Sequence, residues 1–196
     1  QRMPIAAEQW LLEIAYNRLN QLTFYAPGRP AVRTGSDQAL DSRPLFHRYF
    51  AFPLRLETDR QFFYLRAASD DALTLPLWLW APERFNQHQQ EVLMLQFLYY
   101  GGLLSLLLYN LLLYVSVRDQ RFLLYSLYVA TFGLGMLSGN GYGRLLVWPA
   151  AIRFDQVAQS IFLSLAAYLA VRLVRFFYQT RQKAPVMDQL LAWSGA

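Results

Sequence analysis

Cysteine is absent from this 196-residue chain, and histidine occurs only twice. The first absence excludes a disulfide framework and any thiolate zinc site, while fitting either side of a bacterial inner membrane. His47 and His88 have no second imidazole at helical spacing, which excludes a metal site of the HExxH kind. Neither Gly-rich patch is followed by Lys-Ser or Lys-Thr, so a phosphate-cradling loop is missing too. Charge is scarce: 16% of residues are charged and 55% hydrophobic, against about a quarter charged in an ordinary soluble domain. Acids are missing from the longest apolar runs, which removes the usual mark of an ion path in a transporter. Those near a turn or a helix start, Asp70, Asp71 and Glu83, suit capping better than acid–base work. No catalytic constellation, metal site or cofactor cradle emerges, and the chain is not read as an enzyme.

The net charge of +5 comes from scattered arginines, many of them flanking apolar runs. Nucleic-acid binding would need them gathered on one face with aromatic partners, so nucleic acid is not an expected partner. Most charges lie before Glu91 or after Ile152, which divides the chain into a soluble part and a membrane part.

The first part reads as β structure. Residues 10–16 place Trp10, Leu12, Ile14 and Tyr16 on one side and Leu11, Glu13 and Ala15 on the other, the two-residue period of a half-buried strand. Further strands are expected at 22–25, 46–52, 62–67 and 73–80, with a short one around Val32 inside the loop 27–44. Pro53, Asp59, Asp70 and Asp71 mark turns between them. Pro76 cannot donate to a ladder, so the last strand belongs at an edge or carries a bulge. The pattern predicts an antiparallel sandwich or jelly roll over 1–82, lacking strands that would precede Gln1. Tyr49, Tyr64, Trp78 and Trp80 can be read as a platform for sugar rings, or as core packing and, for the two tryptophans near the first span, an aromatic belt.

The second part is helical and apolar. Residues 92–117 hold no charge and exceed the roughly 20 residues that cross a hydrocarbon core. Pro82-Glu83 suits a helix start, so the linker 83–91 is expected to run into this first span as one helix. Residues 122–143 cross back after the polar break 118–121, and 155–178 form a third span whose Arg172 must snorkel or face a polar cavity. Residues 179–196 read as a loop and the start of a fourth span. Arg118, Arg121, Arg172, Arg175, Arg181 and Lys183 put 118–121 and 179–196 in the cytoplasm and residues 1–91 in the periplasm. Gly101 with Ser105, and Gly135 with Gly139, allow close helix contacts, static or regulated. Gln96, Asn110 and Gln159 are candidates for interhelical hydrogen bonds.

Several ordered motifs carry a resemblance. Leu79-Trp80-Ala81-Pro82-Glu83-Arg84-Phe85, Tyr99-Tyr100-Gly101, Leu108-Tyr109-Asn110-Leu111, Arg118-Asp119, Asn140-Gly141-Tyr142-Gly143 and Val147-Trp148-Pro149 make the chain similar to bacterial seven-transmembrane receptors with diverse intracellular signalling modules. The resemblance covers nearly the whole chain. It implies a periplasmic jelly roll related to carbohydrate-binding modules, seven helices, and a cytoplasmic output such as a histidine kinase or a diguanylate cyclase. Relative to that plan the start of the ectodomain, four helices and the output are missing, so both ends are expected to be cuts.

The leading expectation is a sensor in the bacterial inner membrane. Its partners would be the lipid bilayer, an extracytoplasmic ligand with carbohydrate as a candidate class, and a second copy of the chain as a candidate homodimer; no cofactor is expected. A membrane-anchored glycan- or protein-binding module without signalling is the alternative, and a transporter is a third.

Overall fold

The computed structural model describes residues 8–56, 60–70 and 73–178. The expected turns at Asp59 and Asp71 and the expected fourth span lie outside them. The described residues divide into two compact units, one made of residues up to 93 together with 140–156, the other of 94–139 and 157 onward.

The first unit is a sandwich of two antiparallel three-stranded sheets. Strands β1 (Glu8–Ile14), β4 (Phe50–Leu56) and β6 (Leu77–Trp80) form one sheet in the order β4-β1-β6; β2 (Gln21–Tyr25), β3 (Val32–Thr34) and β5 (Tyr64–Ala68) form the other in the order β3-β2-β5. Side-chain alternation builds the core between them. Ile14, Phe50, Phe52 and Leu54 come from one sheet, Leu22 and Phe24 from the other, with Leu19 from the loop joining them. Trp10, Leu12 and Tyr16 pack against this cluster on the side of Ile14, as the two-residue period predicts. Phe24 and Phe52 stack across the sandwich with centroids 4.6 Å apart.

β1 and β5 are each displaced by one or two residues from expectation, and two strands depart further. β4 starts at Phe50, not Phe46, and runs through Pro53, which the sequence reading took as a boundary. As the edge of its sheet, β4 leaves alternate N–H positions unpaired and so tolerates a proline opposite Leu11. β6 is confined to Leu77–Trp80; Pro76 lies just outside it, offering only its carbonyl, which accepts the Ala15 N–H at 3.0 Å. β6 is an edge strand, as Pro76 predicts.

Helix α1 (Pro82–Val117) is continuous over 36 residues, merging the expected linker and first span. At 1.5 Å per residue it is about 54 Å long, well beyond a hydrocarbon core of about 30 Å. Arg118, at φ 59°, ends it, and the Asp119 carboxylate accepts the Arg121 N–H at 2.9 Å to cap α2 (Gln120–Gly139). α2 stops four residues before the expected 143, because Gly141 turns the backbone to φ 79°. A single π-helical turn at Gly143–Val147 follows, and α3 (Ile152–Tyr178) begins three residues earlier than expected. All three helices are long and apolar enough to cross a membrane.

Within the second unit, α2 lies close to α3. A Cβ at Gly135 would stand 2.9 Å from Leu163 Cδ2 and 3.4 Å from its backbone N; one at Gly139 would stand 2.7 Å from Gln159 Nε2. A Cβ at Gly101 would meet nothing within 4 Å. Hydroxyls and amides in these helices turn back on their own backbone: Ser105 Oγ donates to Gly101 O, Asn110 Nδ2 to Leu106 O and Ser126 Oγ to Phe122 O, at 2.8–2.9 Å. These three groups are thereby satisfied within their own helices and not by interhelical bonds, whereas buried Gln96 Oε1 has no partner among the described residues. Gly135→Leu is expected to destabilise the α2–α3 contact by about 1–3 kcal/mol through overpacking. Gly101→Leu, in open space, should leave thermal unfolding in detergent unchanged.

Candidate functional site

An open groove lies on the β3-β2-β5 sheet. The register pairs Tyr25 with Tyr64 and Phe24 with Leu65, so the latter pair turns into the core while the tyrosines turn outward. Phe63 follows Leu65 inward, leaving Phe62 exposed beside Tyr64. Tyr25, Ala26, Pro27, Arg60, Gln61, Phe62 and Tyr64 line a volume of about 560 Å³, within the range of small-molecule sites. Phe62 and Tyr64 are 72% and 68% exposed, which leaves broad ring faces open to solvent. Apolar rings beside a guanidinium and an amide can grip a ligand having both C–H faces and hydroxyls.

The four aromatics singled out in the sequence do not form one platform. Tyr64 alone lines the groove. Trp78 and Trp80 stand on β6 of the other sheet, stacked at 6.1 Å. Trp80 is a brace: its Nε1–H donates to Glu13 at 2.8 Å, and its ring stacks on His88 of α1 at 4.9 Å. Tyr49, in the loop before β4, lies under the Arg48 guanidinium at 4.4 Å.

Glu13 is the centre of the brace. Although it alternates away from the core, it is only 3% exposed, and it also accepts from Gln89 Nε2 of α1 at 3.5 Å. His47 joins the same junction. Its Nδ1 accepts the Tyr49 N–H at 3.2 Å and its Nε2 meets Gln89 Oε1 at 2.8 Å, a pattern that assigns the neutral imidazole with the proton on Nε2. Burial lowers the His47 pKa, opposed by Gln89 and Glu13, which agrees with that neutral form. The Phe85 ring, nearly buried, meets His47 edge-on at 5.5 Å. The first two turns of α1 are thus clamped to the outer face of the β4-β1-β6 sheet.

A second junction involves residues 140–156, the α2–α3 connection together with the first turn of α3. Arg144 is 4% exposed and donates to the backbone carbonyls of Ser36 and Gln38. Arg43 donates to the carbonyls of His47 and Arg48 at 2.7 and 3.1 Å. Burial first, and the Arg144 charge second, lower the Arg43 pKa to about 10, while Asp155 opposes them. Burial likewise lowers that of Arg144, against the pull of Asp155 and Asp37. Tyr142, beneath Arg48 at 5.3 Å, has its pKa raised by burial. Among the described residues no group of three or more His, Asp or Glu side chains is placed to hold a metal ion.

Sequence reasoning missed Tyr25, Arg60, Gln61 and Phe62 in the groove, and Arg144 in the connection. Tyr25 and Phe62 differ from their core neighbours Phe24 and Phe63 only by strand parity, a signal that needs the pairing register to be read.

Residues 93–196 match the family model described as 7TM diverse intracellular signalling, and residues 3–81 match the one described as 7TMR-DISM extracellular 2. No curated protein and no solved structure matches the chain. The two matches leave 82–92 between them, the stretch that the structure shows to be the clamped beginning of α1. The helical match takes in more than half of the chain and the other covers its β sandwich, so the protein belongs to the 7TM diverse intracellular signalling family, membrane receptors with an extracellular domain.

Proposed function

We propose that this protein is a sensor: a carbohydrate-like ligand binds the groove of the extracellular sandwich, and the change passes along α1 into the membrane helices and on to a cytoplasmic output. One observation carries the reading. α1 runs unbroken from Pro82 to Val117, and its first turns are held to the sandwich by Trp80, Glu13, Gln89 and Phe85. A helix fixed at one end to a binding domain transmits displacement, whereas a flexible joint dissipates it. The ligand acts only by binding two receptor states with different free energies. The arginines at 118, 121, 172 and 175 support a bacterial inner-membrane orientation with the α1–α2 turn and the end of α3 in the cytoplasm.

The ligand class rests on the groove. Exposed ring faces suit the C–H side of a pyranose, and Arg60 and Gln61 supply donors for its hydroxyls. In titration calorimetry against neutral oligosaccharides, Phe62→Ala and Tyr64→Ala are each expected to weaken binding about three- to tenfold. Trp78→Ala should leave affinity unchanged; equal losses at Trp78 would move the site to the other sheet. For the relay, a Gly-Ser insertion after Phe85 in a receptor carrying its output module is expected to abolish the response while preserving ligand affinity. An intact response would remove α1 as the route.

A further inference from the structure

The α2–α3 connection is held more firmly than a loop between two membrane helices requires. A buried cation is costly, and Arg144 offsets part of that cost through its two terminal nitrogens, which donate to two carbonyls of a turn more than a hundred residues earlier in the chain, while its buried Nε has no partner among the described residues. The same turn is gripped again from the start of α3: Gln156 Nε2 donates to Asp37 Oδ1 at 2.7 Å, and Arg18 donates to the Gln156 carbonyl at 2.8 Å. Between these grips and α2, Gly141 brings the backbone so near the sandwich that a Cβ would stand 2.9 Å from Asn17 Nδ2 and 3.4 Å from Arg48 O.

The 35–38 turn is in turn tied to the strand that carries the groove. Asn20 Nδ2 donates to Asp37 Oδ1 at 3.1 Å and to Asp70 Oδ2 at 3.0 Å, while the Asp70 N–H donates to Asn20 Oδ1 at 2.9 Å. Asp70 lies two residues beyond β5, which begins with Tyr64. A chain of hydrogen bonds therefore joins the end of β5 to the 35–38 turn through Asn20, and that turn to the connection through Arg144 and Gln156.

We propose that residues 140–156 form a second relay arm, with Arg144 as its positioning residue, through which movement of the 35–38 turn reaches the C-terminal end of α2 and the N-terminal end of α3. The arm rests on the sensor reading and adds to it an input that bypasses α1. Arg43 and Arg144 are like charges in one buried region, a repulsion that withdrawing the connection would relieve while returning Arg144 to water. An element with an engaged and a released arrangement is what a relay requires.

Hydrogen exchange on the full chain in lipid nanodiscs tests this without ligand or output, so a failure of the sugar-binding or signalling predictions leaves the result readable. Arg144→Met is expected to speed exchange across 140–156 about tenfold or more, with Arg144→Lys restoring part of the protection. Asn20→Ala, which breaks the link from β5 without touching the connection, should speed exchange at residues 136–139 and 152–158 about threefold. In an Arg144→Met background, Asn20→Ala should add less at those helix ends, because only the Asp37–Gln156 grip then remains. Because the chain has no cysteine, an Asp37→Cys, Gln156→Cys pair can be joined by a short bis-maleimide crosslinker without competing thiols, and the crosslink should return slow exchange to 140–156 in the Arg144→Met chain. Unchanged exchange over 140–156 in Arg144→Met would overturn the proposal. So would an Asn20→Ala effect at the helix ends that persists undiminished without Arg144. If Arg144→Met does not fold, the same comparison is made with Arg144→Gln, which removes the paired guanidinium donors, and an undiminished Asn20→Ala effect again overturns it.

Discussion

Hydrocarbon offers no partner to a peptide N–H or C=O, and that constraint divides this molecule. Within the apolar runs the backbone is helical, and Ser105, Asn110 and Ser126 return their polar groups to their own helices. Strands, whose edges need water or another strand, are confined to the unit whose loops carry the polar residues. α1 serves both regimes: its first turns lie in the strand-bearing unit and the remainder in the apolar helical one.

Two buried charged side chains give that division its mechanical character. Glu13 gathers donors from β6 and α1, and Arg144 donates to carbonyls of the turn after β3. Removing one partner from either arrangement would leave a desolvated charge or orphaned carbonyls, so each joint is stiff against small displacements. Exposed ion pairs would not behave this way, since water replaces each lost partner at little cost.

Much of the fold was legible because it follows from periodicity. Trp10, Leu12, Ile14 and Tyr16 share the core side of the sandwich, Pro76 marks an edge strand, and the continuity of α1 follows from Pro82-Glu83 and the apolar run beyond. Periodicity assigns a side and does not say what covers it. Glu13 alternates with core residues and so reads as solvent-facing, yet Trp80 and Gln89 cover it. Gly101 and Gly135 have the same spacing to a second small residue, but only Gly135 has a neighbouring helix against it. Pro53 reads as a boundary because its missing N–H is felt only on an inner strand, and β4 is an edge. The groove needed the Tyr25–Tyr64 register, and Arg144 needed contacts made across most of the chain.

The continuity of α1 across 82–92 also constrains how such receptors can be recombined. Each residue added or removed in that stretch turns everything beyond it by about 100° about the helix axis and shifts it by about 1.5 Å. Exchanging extracellular domains between relatives is therefore a matter of phase as well as length. Splices that keep a whole number of helical turns, such as seven or eleven residues, preserve the face presented below the splice, and splices differing by two residues reverse it. Evolution within the family is held to the same arithmetic wherever this helix remains unbroken.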